Sequence, residues 1–283
     1  MIRFDEVHKT YPKQINRSPA QHALKGVSFA LGRGQTLGLI GQNGAGKSTS
    51  IRLIMGYMRP DQGRVIVMGE EKSSPSLRRH IGYLPETSSF PANLTCLELL
   101  HFAGRCCDMP KKAIAERAEI LLQRLGIWEF RNRRLSEYSK GMQQRASFAA
   151  ALIHDPELLI LDEPMSGLDP IGRAEIIDLI HDLRAQGKSI LFCSHLLDDV
   201  ERITDHVAIL HQGNLLYAGA IADLCAASSG SIVNMRDGRK LEADSEAKLA
   251  SVLQQHAEQV IGVRQGREDL QTAFVRLVKG DQS

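Results

Sequence analysis

Long apolar runs are missing from this 283-residue sequence. No stretch approaches the ~18–20 consecutive apolar residues of a membrane-spanning helix, so any work at a membrane is expected to run through a partner. An excess of either charge is missing too: 35 Lys and Arg stand against 33 Asp and Glu, a formal charge of +2. A dedicated nucleic-acid binder is expected to be strongly basic, so no nucleic-acid partner is expected, nor a polybasic membrane anchor. Cysteine is sparse, with five residues and no C-x-x-C pair. That removes zinc spacing and a disulfide scaffold, and suits a reducing cytosol. The opening MIRFDEVHKT carries early charges and no apolar core, which reads as no signal peptide. No fragment recurs at a fixed period, which excludes repeat architectures. What remains is ordinary globular composition, 43% hydrophobic and 24% charged. The chain is long enough for a sizeable core, as one large domain or one plus an appendage.

Periodicity predicts the order of elements. Ile2, Phe4 and Val7 form a near-alternating strand before a turn at Tyr11-Pro12, and residues 13–22, with Pro19, read as a polar loop. Further strands are expected at Ala23–Leu31, Gln35–Ile40 and Arg64–Met68, with a helix from near Gly46 to about Tyr57. From Thr95 to Leu125 the pattern is helical, split at Pro110 and stopped at Gly126, and another helix follows from about Lys140 to His154. Strand and helix then alternate: Leu158–Asp162, Ile171–Gln186, Ser189–Cys193, Leu196–Ile203, His206–Leu210. Such alternation means a parallel sheet with helices on its faces. Composition shifts at Ala226-Ala227-Ser228-Ser229-Gly230, which reads as a boundary. Beyond it come strand-like Ile232-Val233, a turn at Asp237-Gly238, a helix from about Ser245 and a strand at Val260–Val263. A helical stripe of Leu270, Phe274 and Leu277 closes the chain. Arg131, Arg133 and Arg134 read as a solvated basic face, and Cys106-Cys107 as helix packing.

Three segments carry chemistry. Gly41-Gln42-Asn43-Gly44-Ala45-Gly46-Lys47-Ser48 matches G-x-x-x-x-G-K-[ST] in full, with a strand before it and a helix after. Its glycines let backbone N–H groups turn inward around phosphate oxygens, and the helix N-terminus adds its positive dipole end. Lys47 is expected to reach the β- and γ-phosphates and Ser48 to hold Mg²⁺, with Thr49 counted among the nucleotide-binding residues. Leu158-Leu159-Ile160-Leu161 buries a central strand and delivers Asp162 and Glu163 at its C-terminal end, the edge where open α/β sheets bind ligands. Asp162 fits a Mg²⁺ partner, and Glu163 a base for the attacking water. Ser139-Lys140-Gly141-Met142-Gln143 opens a helix just ahead of that strand, a site suited to an anion.

At this point residues 1 to about 220 resemble the nucleotide-binding subunit of ABC transporters. The family signature is usually Leu-Ser-Gly-Gly-Gln. Tyr138-Ser139-Lys140-Gly141-Met142 departs at three of five places and keeps Ser139 and Gly141. The resemblance implies that Tyr11 stacks on adenine, that Ser166-Gly167-Leu168-Asp169-Pro170 is the D-loop crossing between subunits, and that His195 contacts the γ-phosphate. It implies ATP and Mg²⁺ as cofactors, with Lys47, Glu163 and His195 catalytic. Tyr83-Leu84-Pro85-Glu86 carries a glutamate where the family usually has glutamine. Glu86 is expected near Mg²⁺ or its water. It is similar to a Tyr-x-Pro-Glu variant found in subunits serving exporter permeases of the type-two class, and the tail at Glu268–Phe274 resembles the same subgroup.

The expected fold is α/β: a P-loop NTPase core with a parallel sheet, an N-terminal antiparallel β subdomain, an inserted α-helical subdomain and a small C-terminal α+β appendage. Residues 1–220 are expected to form the ATPase domain, with the helical part at about 95–155, and 221–283 an accessory domain. One phosphate loop and one signature per chain imply a homodimer, because the family pairs each across subunits. An integral-membrane permease is the implied partner, which places the chain on the cytoplasmic face of the cell membrane. The alternative is a soluble ABC-type ATPase switch acting on a ribosome, DNA or a regulator. A P-loop kinase or GTPase is disfavoured by Ser139–Gln143, by His195 and by the absence of N-K-x-D.

Overall fold

The computed structural model describes residues 1–12, 21–71, 74–87, 90–91, 93–226, 230–243, 245–266 and 268–280. The loop read around Pro19 at 13–20 and the boundary residues 227–229 lie outside the described residues. The chain divides into two compact units, 1–218 and 219–283.

The first unit opens with β1 (Ile2–Tyr11), β2 (Gln21–Leu31), β3 (Thr36–Ile40), α1 (Lys47–Ile54) and β4 (Gln62–Val67). An antiparallel sheet of order β2-β1-β4 forms first. At its bulge Gly63 has φ +75°, and a Cβ there would lie inside the Glu6 and Asp5 carbonyl oxygens. α1 stops at Ile54, short of the expected Tyr57. Gly56 takes φ +69°, its N–H donates to the Leu53 carbonyl, and Tyr57 N–H donates to that of Arg52 at 2.9 Å. This is the glycine-closed helix end.

α2 (Pro75–Arg78), β5 (Ile81–Leu84), α3 (Cys96–Cys106), α4 (Lys111–Arg124) and α5 (Lys140–Leu152) follow. The three longer helices form the inserted helical block. Thr95 and Glu98 make a capping box at the head of α3, and Gly126 closes α4 at φ +67°. Arg117 of α4 donates to the Ile153 and Leu152 carbonyls at 2.8 and 3.1 Å, tying it to the end of α5. Arg131 and Arg133 lie over the Trp128 and Phe130 rings at 4.1 and 4.8 Å. Cys106 is exposed at the helix end rather than packed.

β6 (Leu158–Asp162), α6 (Pro170–Ala185), β7 (Ser189–Ser194), α7 (Leu197–Ile203), β8 (His206–His211) and β9 (Asn214–Ala220) complete a six-stranded sheet of order β5-β6-β7-β3-β8-β9. β5, β6, β7, β3 and β8 run parallel. β9 turns back through Gln212-Gly213, both at positive φ, as a two-residue hairpin requires. Every residue of β3, β6 and β7 is buried, which is why they read as unbroken apolar runs. One core joins the two sheets and α1: Phe4 stacks on Phe29 at 4.4 Å, and the cluster continues through Leu39, Ile51, Ile54, Leu191 and Leu210. The register brings distant segments together. Ile40 pairs with Ser194, Asp162 with Cys193, and Leu84 with Leu161, so the loops after β3, β5, β6 and β7 all leave from one edge of the sheet.

The second unit holds α8 (Ile221–Ala226), β10 (Gly230–Met235), β11 (Lys240–Ala243), α9 (Glu246–His256), β12 (Val260–Gly266) and α10 (Leu270–Gly280), with an antiparallel sheet of order β11-β10-β12. Ser245 caps α9. Arg276 ties α10 to α8, donating to the Leu224 carbonyl at 3.3 Å and to Glu268 at 3.0 Å. Among the described residues, no helix is long and apolar enough to cross a membrane.

Candidate active site

The β3–α1 loop forms a cradle because two of its residues leave no room for side chains. A Cβ on Gly41 would meet the Leu210 carbonyl oxygen at 2.5 Å. Gly46, at φ +115°, would meet Leu24 and the Ala23 carbonyl oxygen at 2.7 and 2.8 Å. The buried Lys47 ammonium donates to the Gly41 carbonyl at 2.5 Å and to that of Gln42 at 3.4 Å. It therefore folds back over the loop.

That cavity, about 570 Å³, is lined on the loop side by Gln42, Asn43, Gly44, Gly46, Lys47, Ser48 and Thr49. On its other walls stand Tyr11, Glu86, Asp162, Glu163 and His195. Gly41 and Ala45 do not line it; both are buried beneath the loop. Tyr11 is fixed by Thr49, Oη to Oγ1 3.3 Å, and donates to the Met58 sulfur at 3.6 Å. Glu163 sits at φ +48°, an uncommon conformation for a residue with a side chain, held by its N–H donating to the Cys193 carbonyl at 2.9 Å. Its carboxylate accepts from Ser194 Oγ at 3.2 Å, His195 N at 3.0 Å and His195 Nδ1 at 2.8 Å.

Asp162 is only 7% exposed. Burial pushes its carboxyl up to about 6; the Glu86 and Glu163 charges add to this and the Lys47 ammonium opposes it. A hard divalent cation suits this set of a hydroxyl and crowded carboxylates. Among the described residues no three His, Cys, Asp or Glu side chains form a metal cage. Mg²⁺ takes one or two carboxylates together with substrate phosphates rather than an all-protein shell, and Ser48, Asp162 and Glu86 on the cavity wall offer such a set. ATP and Mg²⁺ therefore both fit the residues present.

Ser139 and Gly141 are not in this cavity. Ser139 caps α5, its Oγ accepting from Met142 N–H at 3.3 Å. With Gly141 it lines a second cavity of about 420 Å³, whose other wall is Gly167, Leu168 and Asp169. The two cavities share no lining residue. Gln144 of α5 donates to the Pro164 carbonyl at 3.0 Å, so the helix behind the second cavity is bonded directly to the loop that carries Glu163.

Sequence reading missed four residues here. Gln21, Ala23 and Arg52 also line the first cavity, and Ser194 holds Glu163. Arg52 carried a signal, since it lies four residues after Ser48 on one helix face. Ser194 carried only its place between a buried strand and His195.

The ABC transporter family profile matches residues 24–166. The chain belongs to the ABC transporter ATP-binding family. An uncharacterized ABC transporter ATP-binding protein of Synechocystis sp. is 38% identical over 237 residues, 83% of this chain and 67% of the relative. The linearmycin resistance ATP-binding protein of Bacillus subtilis is 33% identical, covering 82% of this chain and 73% of the relative. Among solved structures, the ATP-binding subunit of an ABC transporter superimposes with a TM-score of 0.72 at 31% identity, covering 79% of this chain and 91% of that one. This ABC ATPase chain thus has the P-loop NTPase fold expected from its motifs.

Proposed function

We propose that this chain hydrolyses ATP as one of two identical subunits, and that the paired subunits drive a separate integral-membrane permease from the cytoplasmic face of the membrane. One observation carries the reading: the phosphate cradle and the Ser139–Gly141 helix start line two separate cavities on one chain. In the proposal a second copy brings its Ser139 and Gly141 to the cradle of the first, and two-fold symmetry makes both sites equivalent.

Within each site, Gly44, Gly46, Lys47, Ser48 and Thr49 hold the phosphates, with Gly41, Gln42, Asn43 and Ala45 shaping the loop, and Tyr11 stacks on the adenine. Ser48, Asp162 and Glu86 hold Mg²⁺, which when bound neutralises phosphate charge. Glu163 accepts the proton of the attacking water, and His195 orients Glu163 and reaches the γ-phosphate. Glu86 and the 268–274 tail support a type-two exporter permease as partner, as does the likeness to a relative named for linearmycin resistance. The reading is tested by following specific ATPase activity against protein concentration. Activity per chain should rise with concentration until dimers saturate; a concentration-independent rate contradicts shared sites.

A further inference from the structure

Arg52 has no place in the roles assigned above. It stands one turn beyond Ser48 on α1 and lines the same cavity as Glu86. Its backbone is fixed by the helix end, where its carbonyl accepts from Tyr57 N–H at 2.9 Å. Its guanidinium has no hydrogen bond or ion pair to another described residue, and neither has the Glu86 carboxylate.

The charges around it are unbalanced. Glu86, Asp162 and Glu163 bring three carboxylates to one cavity. Lys47 is turned to the Gly41 and Gln42 carbonyls, and His195 is engaged by Glu163. Arg52 is the remaining cation on the cavity wall among the described residues. It also lies within electrostatic range of the Tyr83 phenol, three residues before Glu86 on the same segment.

We propose that Arg52 is a positioning residue for Glu86: its guanidinium, not paired with Glu86 in this structure, reaches across the shared cavity wall to the Glu86 carboxylate in solution and holds it at the metal edge of the cavity. The pair offsets the negative charge that Glu86 adds to a cavity already lined by Asp162 and Glu163. Arginine suits the task, being charged at every working pH and offering a planar fork to a carboxylate. The inference rests on the ATP-site reading of the cavity. It adds a residue to that reading and explains how a carboxylate is tolerated beside phosphates.

The test is calorimetric ATP binding to the full chain in EDTA and again with Mg²⁺, for the unmodified protein, Arg52→Gln, Arg52→Lys, Glu86→Gln and the double variant Arg52→Gln/Glu86→Gln. Exposed ion pairs are weak, so Arg52→Gln should loosen metal-free ATP binding by about two- to fivefold. The same change in the Glu86→Gln background should have almost no effect, and Arg52→Lys should recover most of the loss. Melting temperatures of the ligand-free variants establish that each is folded. The charge exchange Arg52→Glu/Glu86→Arg gives a second measure, expected to bind more tightly than Arg52→Glu alone. An equal loss in both backgrounds overturns the pairing, because Arg52 then acts on the phosphates directly. No loss in either background overturns it as well. Failure of the unmodified chain to bind ATP overturns the ATP-site reading itself, and the pairing with it.

Discussion

His195 Nδ1 stands 2.8 Å from Glu163 Oε1, and this contact fixes the tautomer of the ring. An ionised carboxylate only accepts, so Nδ1 carries the proton. A carboxylate has about four lone-pair sites, and Glu163 uses three of them on Ser194 Oγ, His195 N and His195 Nδ1. One acceptor site is left for a water proton, while the side chain itself cannot swing away. The proposed base is thus oriented by its neighbours.

Glu163→Gln keeps the shape and an acceptor for His195 but removes the proton-accepting charge. Turnover should fall by about 10²–10⁴-fold, the usual worth of general-base catalysis. ATP should then hold the protein as a dimer on gel filtration. Turnover within a factor of about two of the unmodified protein would rule Glu163 out as the base.

Two glycines of the phosphate loop separate strain from collision. Gly44 (φ +83°) has nothing within 4 Å of an added Cβ, whereas Gly46 (φ +115°) meets Leu24 and the Ala23 carbonyl oxygen. Left-handed strain alone costs on the order of 1–3 kcal/mol, and Gly46→Ala adds a backbone clash. Urea denaturation of the ligand-free protein should therefore rank Gly46→Ala as clearly less stable than Gly44→Ala. Equal stabilities would mean that the loop relaxes freely.

His154 couples the helical block to the sheet and should make stability depend on pH. Its Nε2 donates to the Ile81 carbonyl at 3.2 Å, and its Nδ1 is buried without a partner. Burial, the largest cause, holds its pKa below the ordinary value; the Arg117 charge adds to this, and the Ile81 carbonyl and Asp155 oppose it. The unfolded chain thus binds the proton more readily. The stability His154 contributes is complete above about pH 6.5 and is lost as pH falls through the lowered folded pKa. His154→Gln should flatten the fall in melting temperature between pH 7 and pH 5. An unchanged slope would assign that pH dependence to other histidines.

Legibility in the sequence followed locality. The phosphate loop could be read because its glycines, Lys47 and Ser48 are contiguous, and Asp162 because four buried apolar residues precede it. β5 was missed because Ile81–Leu84 is only four residues long and runs straight into Pro85, too short for a strand period to show. β9 was missed because its residues are half-buried and its turn is Gln-Gly rather than the stronger Asn-Gly signal. β2 begins at Gln21, two polar residues earlier than its apolar pattern. The pairing order, which places β3 between β7 and β8, is a non-local property. With it came Ser194 at the back of Glu163, and Arg52 on the same wall as Glu86.

The central claim, that each ATP site is built from two copies, is tested most directly by mixing two inactive variants. Lys47→Ala removes the phosphate ammonium and leaves the Ser139–Gly141 helix start intact. Ser139→Arg does the reverse. A mixed dimer holds one site with both defects and one with neither. An equal mixture, half of it mixed dimers, should therefore recover about a quarter of the unmodified ATPase rate, although each variant alone is inactive. An equal mixture as inactive as its components, or a Ser139→Arg chain that hydrolyses ATP normally by itself, would contradict the shared site.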